Sequence, residues 1–215
     1  YRIIHEESPD KRGIDVAALY KPDIIKYLAH KPINISFPFA PESKTRDILY
    51  AKFQIFNSDT LHFFINHWPS RYGGYMATKP KREYVASVLR SAVDSIREYE
   101  PNAFILLTGD FNDEPDNESL TKALGACADT ANCESELLNL MFAYHRHPET
   151  GTHKYRESWG VLDQFIVSTN LVKQDSKVFV KDSKAQIYQS NFLMEKDDKY
   201  LGLKPFRTFV GFKYN

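Results

Sequence analysis

Polar side chains suited to metal or phosphate chemistry follow directly after an apolar run. The stretch FILLTGDFNDEP, residues 104–115, reaches a glycine and then presents Asp110, Asn112, Asp113 and Glu114. If the apolar part is a buried strand, alternation places the first two on one side of the chain and the intervening phenylalanine on the other. A carboxylate beside a carboxamide can bind a hard cation or orient a water molecule. An aspartate that caps the following turn explains the same residues equally well.

A second apolar run ends in a histidine with an arginine nearby. In FFINHWPSR, residues 63–71, Asn66 and His67 close the run and Arg71 follows four positions after the histidine. A lone histidine at a strand end is usually an edge residue with an ordinary partner. Together with an arginine, however, it favours an anion site.

Two further charged residues introduce predicted strands. Arg46 in KTRDILY stands just before an alternating strand, and Asp163 in GVLDQFIVS starts an otherwise apolar one. A carboxylate that enters an apolar strand needs a partner, and a histidine or an arginine is the expected one. These residues extend the candidate site to four segments of the chain.

Hydrophobic periodicity predicts the elements that must position these groups. A helical pattern over residues 79–99 predicts an amphipathic helix, with Thr78 as its N-cap and Pro80 in its first turn. Residues 117–124 predict a short helix capped at Asn117. Strands are predicted at residues 14–20, 47–56, 61–66, 103–109, 161–168 and 176–180. The pattern indicates a layered α/β fold with mixed sheets rather than strict βαβ alternation.

Bulk composition limits the possible classes of protein. The chain of 215 residues is predicted to form one domain, residues 1–215, and its formal net charge is zero, so no global field draws it to nucleic acid or membrane. Residues 109–149 carry nine acids and two bases, whereas residues 171–215 carry nine bases and five acids. This asymmetry suits a cation site beside an anionic substrate, and it suits solvated loops equally well.

Compartment and thiol state stay open at this level. Cys127 and Cys133 are six residues apart in a polar stretch, where a disulfide and two free thiols are both possible and no metal motif is formed. No apolar run approaches membrane-spanning length. The sequence starts without Met and shows no signal peptide, so localisation is unknown.

The order of these motifs resembles the endonuclease/exonuclease/phosphatase superfamily, whose members include pancreatic-type DNase, abasic-site endonucleases, sphingomyelinases and inositol-polyphosphate 5-phosphatases. The resemblance covers essentially the whole chain and looks closest to the branch common in Bacteroidetes genomes. It rests on six segments in order, namely RGIDVAALY, TRDILY, INHWPSR, GDFND, YRESWGVLDQFIVS and KPFRTFVGFKY.

The resemblance implies a four-layer α/β sandwich, DNase-like, with two packed mixed β-sheets flanked by helices. It also implies phosphoester hydrolysis that depends on Mg²⁺ or Mn²⁺. Asp110 would orient and help deprotonate the attacking water, Asn112 would hold a phosphoryl oxygen or the metal, and His67 would stabilise charge on the phosphoryl oxygens. The remaining implied roles are phosphate contact for Arg46, Asn66 and Arg71, support of a general-base histidine for Asp163, and orientation of His67 for Asp15.

Two family elements do not occur in the sequence. The family's principal glutamate ligand should precede Tyr1, and its closing Ser-Asp-His should follow the final residues. The resemblance therefore predicts a domain incomplete at both termini, in which these 215 residues bind metal poorly and turn over little, while the intact parent is a hydrolase.

Two alternatives remain in view. A metallophosphoesterase of the Gly-Asp-x-x-Asp type would need its aspartate motif before its Asn-His motif, the reverse of the order seen here. A non-catalytic module that binds a phosphate ligand on the same fold is the second alternative. The expected partner is a phosphoester substrate of unresolved class, which includes nucleic acid, small phosphodiesters or monoesters and lipid headgroups, and the expected state is a monomer.

Overall fold

A large mixed sheet dominates the fold. The computed structural model describes residues 1–55, 59–173 and 178–207. In these residues the strands are β1 (Arg2–His5), β2 (Ala17–Tyr20), β3 (Lys26–Ile33), β4 (Ile48–Ile55), β5 (Asp59–His67), β6 (Phe104–Asp110), β7 (Leu137–Asn139), β8 (His153–Tyr155), β9 (Ser158–Gly160), β10 (Asp163–Ser168), β11 (Met194–Lys196) and β12 (Leu203–Pro205). One long helix, α1 (Tyr75–Tyr99), accompanies them.

The strand order β3-β4-β5-β6-β10-β7 determines which strand ends meet. Strands β5 and β6 are parallel, with α1 between them in sequence, and β10 is antiparallel to β6. A parallel pair needs such a crossover connection. The ends of β5 and β6 and the start of β10 therefore lie at the same edge of the sheet.

One face of the sheet packs against α1. Val85, Leu89 and Val93 of the helix belong to the same buried cluster as Phe64 and Leu107 of the sheet. Apolar residues spaced by three or four positions put one stripe of the helix on the sheet, as the sequence predicts.

Helix α1 begins a turn earlier than predicted. Its N-cap is Gly74, and Thr78 lies inside the helix, where its hydroxyl donates to Gly74 O at 2.9 Å. Gly73 and Gly74 both have positive φ, so they turn the chain into the helix where other residues would be strained. Pro80 consequently lies inside the helix rather than in its first turn.

A second, two-stranded sheet covers part of the opposite face. Ile4 of β1 and Ala18 of β2 pack with Leu49, Ala51 and Phe53 of β4. The mixed α/β fold class predicted from the sequence is confirmed, with a helix layer, a large mixed sheet and this small sheet.

Several predicted elements differ in detail. Residues 14–20 form a strand only at Ala17–Tyr20, and the sequence did not predict β1 or β3. The short helix is a π-helix at Ser119–Leu124 with Glu118 at its N-cap, because the side chain of Asn117 is occupied by Arg71 and the Glu114 amide. Of the strand predicted at 176–180, residues 176 and 177 lie outside the described residues and the remaining three are not a strand.

Two further features concern covalent structure and membranes. Cys127 and Cys133 form a disulfide with a Cα–Cα distance of 5.5 Å. Among the described residues, no helix has both the length and the apolarity needed to cross a membrane.

Candidate active site

Three of the predicted site residues form a row across the edge of the sheet. His67 ends β5, Asp110 ends β6 and Asp163 begins β10. His67 pairs in register with Asp110, and Asp110 pairs with Asp163. Side chains at paired positions share a face of the sheet, so the row presents an imidazole and two carboxylates side by side. His67 Nε2 lies 3.8 Å from Asp110 Oδ2.

Gly109 allows strand β6 to deliver Asp110 to this row. Its φ is +126°, and a Cβ at this position would lie 2.0 Å from Asn66 O. No side chain can be accommodated at that distance. The glycine therefore keeps β5 and β6 in close contact up to the two residues that follow, His67 and Asp110.

Asp110 both stabilises a turn and faces the site. Its Oδ1 accepts the backbone N–H of Asn112 at 2.8 Å, and Asn112 has a positive φ of 51°. Its Oδ2 is the oxygen nearest His67. The turn-capping interpretation is therefore confirmed for Oδ1, and the second oxygen stays available for the interpretation as a cation or water ligand. Phe111 anchors the turn, because the centroid of its ring lies 4.6 Å from the centroid of the Trp68 ring.

The two predicted amide residues are held firmly. Asn112 Nδ2 donates to Trp68 O at 3.0 Å. Asn66 is buried, its Oδ1 accepts Trp68 Nε1 at 3.0 Å, and its Nδ2 donates to backbone carbonyls of β5 and β6. Asn66 thus lies behind His67, in the packing beneath the row.

The two predicted arginines are both hydrogen-bonded at or beside the Asn112 turn. Arg46 is buried, and it donates to Trp68 O at 2.6 Å and to Asp10 Oδ2 at 3.0 Å. Arg71 Nε donates to Asn112 O at 2.7 Å. Its NH2 group lies 3.2 Å from Asp113, a buried carboxylate that also binds the buried Arg82.

Asp110 opens onto a cleft of about 1070 Å³. The lining combines charged groups with aromatic rings and includes Arg71, Asn112, Glu114, His153, Tyr155 and Trp159. A second cavity of about 730 Å³ is lined by Asp163 together with Thr152 and Lys184. Of the two tryptophans, Trp68 is therefore a core residue, while Trp159 faces the cleft.

The pKa values of both carboxylates are raised, and the charge of Asp163 contributes to the shift at Asp110. Burial and the charge of Asp163 raise the pKa of Asp110 to about 6, against the opposing effect of the Asn112 amide, Arg46 and Arg71. Burial also raises the pKa of Asp163, although the Thr152 hydroxyl and His153 oppose the shift. Two nearby carboxylates that resist ionisation form an environment that favours a cation.

His67 is held in its neutral form. Burial, followed by the charges of Arg46 and Arg12, lowers the pKa of His67 to about 4, with Asp10 acting in the opposite direction. Its ring can therefore donate or accept a hydrogen bond at neutral pH without carrying a charge.

His153 is a site residue that sequence reasoning missed. It starts the β8–β9 hairpin and lines the cleft with Asp110. Burial and the charge of Arg207 lower the pKa of His153, while Asp163 and Glu114 act to raise it. The only available signal was its position two residues before YRESWG, a segment already in the family pattern.

The expected contact between Asp15 and His67 is replaced by another arrangement. Asp15 Oδ2 lies 3.3 Å from His5 Nε2, and its Oδ1 accepts the Ser8 amide at 2.7 Å. The acid whose charge acts on His67 is Asp10. Ligating atoms of His5, Glu7 and Asp15 lie within 4.8 Å of one another and could together hold a cation.

The donor set at the end of β6 fits a hard divalent cation. Asp110 contributes a carboxylate whose pKa is raised by burial and by the charge of Asp163. Asn112 contributes an amide oxygen, because its amide nitrogen already donates to Trp68 O. Oxygen ligands of this kind are the ones that Mg²⁺ and Mn²⁺ prefer.

Fold and site together define an α/β protein of the DNase-like class. The chain belongs to the endonuclease/exonuclease/phosphatase family, whose model matches residues 1–215. The family generally uses divalent metal ions. A search of curated proteins found no match.

Solved structures share the fold at low sequence identity. The human Nocturnin catalytic domain matches with a TM-score of 0.55 at 15% identity, covering 78% of this chain and 60% of that one. ANGEL2, described as a 2′,3′-cyclic phosphatase, matches with a TM-score of 0.57 at 13% identity, covering 78% and 62%. A family protein from Bacteroides thetaiotaomicron matches with a TM-score of 0.53 at 16% identity, covering 78% and 59%. The chain thus spans about 60% of the length of these structures.

Proposed function

We propose that this site hydrolyses phosphoesters with the help of a divalent cation, Mg²⁺ or Mn²⁺. The observation that carries the proposal is the row of His67, Asp110 and Asp163, in which Asp110 lines the charged cleft and Asp163 lines the second cavity. Such a row supplies what phosphoryl transfer requires, namely an oriented water and groups that stabilise charge on the phosphoryl oxygens. Membership of the family supports the same reaction class.

Asp110 is assigned the central role. Its Oδ2 faces the site while Oδ1 is fixed by the Asn112 amide, so the free oxygen is preorganised to hold a water or the cation. Asn112 would hold the cation or a phosphoryl oxygen through its amide oxygen, because its nitrogen is committed to Trp68 O. When bound, the cation supplies Lewis-acid stabilisation of the phosphoryl oxygens.

His67 and Arg71 are assigned to the phosphoryl oxygens. A neutral His67 donates a hydrogen bond without adding a second fixed charge beside Arg46. Arg71 reaches the cleft while its Nε holds the Asn112 turn. Asn66 then acts as a positioning residue, because its side-chain contacts hold the end of β5 under His67.

Asp163 and His153 form the candidate acid–base pair. Asp163 favours the protonated form of His153, whereas burial favours the neutral form. Because the net shift lowers its pKa, His153 is neutral at neutral pH and has a ring nitrogen free to accept a proton. Among the histidines of the described residues whose pKa is clearly shifted, His153 is the one on which the charge of Asp163 acts. We assign it the general-base role that the resemblance gives to a histidine of the closing Ser-Asp-His.

The experiment is a screen of the full-length protein with Mg²⁺ or Mn²⁺ against a nucleic acid, a small phosphodiester, a phosphomonoester and a lipid phosphodiester. Asp110→Ala should lower kcat/KM at least about a hundredfold. The matched control is Asp198→Ala, since Asp198 is an exposed aspartate paired only with Lys196 among its described contacts. Equal rates for Asp110→Ala and the unaltered protein would overturn the assignment. Binding of phosphate ligands without any turnover would favour the non-catalytic module instead.

A further inference from the structure

A small basic pocket lies beside the candidate active site. Its volume is about 350 Å³, and Thr45, Arg46, Pro69 and Tyr72 are part of its wall. Its basic residues come from three separate segments of the chain and are Lys11, Arg12, Lys44, Arg46 and Lys81. Asp10 is the one acid among the described lining residues. Such an excess of cations in a concave surface attracts anions.

Asp10 does not neutralise this pocket, because both of its oxygens are already bound. Arg12 donates to Oδ1 and to Oδ2 at 3.1 Å each, and Arg46 donates to Oδ2 at 3.0 Å. Although burial acts in the opposite direction, these hydrogen bonds hold the pKa of Asp10 well below its usual range. The carboxylate therefore serves to fix two guanidinium groups and leaves Lys11, Lys44 and Lys81 uncompensated by acids of the lining.

Two buried polar atoms of the pocket wall lack hydrogen-bond partners within the described part of the chain. They are Thr45 Oγ1 and Arg46 Nε, on residues that are 3% and 4% exposed. Buried polar groups normally find a partner, and a group left without one indicates a bound water, ion or ligand. Both atoms are on residues of the pocket lining, and both can donate the hydrogen bonds that an oxyanion accepts.

The pocket is joined to the active site through shared residues. Trp68 O accepts both from Arg46 at 2.6 Å and from Asn112 Nδ2 at 3.0 Å. Tyr72 lines both the basic pocket and the cleft that holds Asp110. The charges of Arg46 and Arg12 also contribute to the lowered pKa of His67. The two cavities are therefore lined by connected residues, and one molecule that reaches into both would contact them together.

We propose that this pocket binds a second phosphate of the substrate. The inference rests on the proposed function and narrows the substrate class to phosphoesters that carry another phosphate group near the scissile one. A dianionic phosphate matches the charge of the pocket better than a single carboxylate, and it offers several acceptor oxygens to Lys, Arg and Thr donors. A nucleic-acid strand and a small bisphosphate share this chemistry.

The kinetic test uses substrates that differ only in the second phosphate. One pair is a thymidine dinucleotide with and without a 5′-phosphate, and the other is glucose 1,6-bisphosphate against glucose 6-phosphate. The double variant Lys11→Ala/Lys44→Ala removes two exposed lysines of the pocket. We expect KM for the two-phosphate member of the preferred pair to rise about tenfold, with kcat and the one-phosphate member unchanged.

The matched control is Lys26→Ala, an exposed lysine of β3 outside the pocket lining. The pair that responds to the double variant tells the two sources of the second phosphate apart. An unchanged KM for both two-phosphate substrates in the double variant would overturn the inference while leaving hydrolysis intact.

A binding measurement keeps the two proposals separable. If no substrate is hydrolysed, the proposed function fails, and the pocket is then tested by calorimetric titration of the metal-free protein with inorganic pyrophosphate. The unaltered protein and Lys26→Ala should bind it, and Lys11→Ala/Lys44→Ala should bind about tenfold more weakly. Equal affinity in all three proteins, or no binding by any of them, would refute the pocket's role.

Discussion

Asp110 and Asp163 occupy directly opposite positions of the antiparallel β6–β10 pair, at the edge of the sheet where the cleft opens. Like charges placed opposite each other on one face are destabilising. Here the arrangement keeps the pKa of Asp110 raised to about 6 by burial and by the neighbouring charge. A cation at this position would relieve the repulsion, which links the geometry of the sheet to the metal that the family generally uses.

The first prediction concerns this coupling. Asp163→Asn removes the charge but retains an oxygen that the Thr152 hydroxyl can contact. In the metal-free protein, the pKa of Asp110 should fall from about 6 towards the ordinary value, while burial still keeps it above that value. Carbon-13 NMR titration of the aspartate carboxyl signals measures the change.

Asp198→Asn is the control for this titration, because that side chain is 88% exposed. We expect Asp198→Asn to leave the titration midpoint of the Asp110 carboxyl signal unchanged. If Asp163→Asn also leaves the midpoint unmoved, the two carboxylates do not interact as the register requires.

The second prediction concerns Gly109. Gly109→Ala would place a Cβ 2.0 Å from Asn66 O, at a φ of +126° that alanine rarely adopts. The backbones of β5 and β6 would have to separate, so the free energy of unfolding should fall by about 3 kcal/mol. Urea denaturation followed by circular dichroism measures this loss.

Gly73→Ala separates backbone strain from collision. Gly73 also has a positive φ, of +90°, but a Cβ there would meet nothing within 4 Å. Its substitution should cost only about 1 kcal/mol, from the backbone conformation alone. Equal losses in the two variants would show that close strand contact is not what requires glycine at position 109.

Sequence reasoning succeeded where chemistry and periodicity coincide. The apolar runs before His67 and Asp110 predicted strands, and the parallel pairing of those strands does bring their ends together. The turn after Gly109 was also foreseeable, because a polar cluster must leave the sheet where the apolar run ends. Helix α1 was recognised by its apolar stripe, although not its first turn, which depends on Gly73 and Gly74.

The sequence could not predict contacts between residues that only long-range packing brings together. Asp10 sits in an ordinary loop in the sequence, yet it binds Arg46, 36 residues away, and acts on His67. His153 is one of seven histidines, and only the β8–β9 hairpin brings it to the cleft. Strand β3 is largely exposed, so it lacks the alternation that reveals half-buried strands.

The third prediction concerns the buried pair beneath Arg71. Arg82 and Asp113 are both fully buried, and Arg82 Nε lies 2.8 Å from Asp113 Oδ2. Arg82→Met removes one cation from a carboxylate that cannot reach water. Unfolding should become easier by about 3 kcal/mol, as measured by urea denaturation.

A double variant distinguishes a lost charge pair from poor packing. Arg82→Met/Asp113→Leu removes both charges and should be more stable than Arg82→Met alone, because no carboxylate then remains with a missing partner. Lys196→Met, at an exposed pair with Asp198, should change stability little. A double variant less stable than the single one would mean that Asp113 is satisfied without Arg82.

The fourth prediction concerns a second histidine network, centred on His62, which lies five residues before His67 on β5. His62 is buried, its Nδ1 lies 2.9 Å from the Tyr50 hydroxyl and its Nε2 lies 3.0 Å from Glu100. Burial lowers the pKa of His62 despite the nearby Glu100, and the hydrogen bonds from Lys52 and His62 lower the pKa of Glu100. The network therefore couples folding to acid pH through two groups.

The lowered pKa values of His62 and Glu100 both make the folded protein less stable as the pH falls. Below the ordinary histidine pKa of about 6.5, the unfolded chain binds a proton at His62 that the native state takes up only at lower pH, so stability falls as the pH is lowered. The contribution of Glu100 is lost at still lower pH, as its carboxylate is protonated. His62→Gln should therefore flatten the dependence of the free energy of unfolding on pH between about 7 and 5, by at most about 1.4 kcal/mol per pH unit.

Urea denaturation at several pH values measures this slope, with His147→Gln as the control at an exposed position. The absolute stability of His62→Gln is not informative, because loss of the Tyr50 and Glu100 contacts lowers it at every pH. Only the difference between the two proteins in the slope of unfolding free energy against pH reports the protonation of His62. Parallel pH profiles for His62→Gln and the unaltered protein would show that protonation of His62 does not oppose folding. The half-buried histidines His67 and His153, whose pKa values burial also lowers, would then be the next candidates for the acid sensitivity.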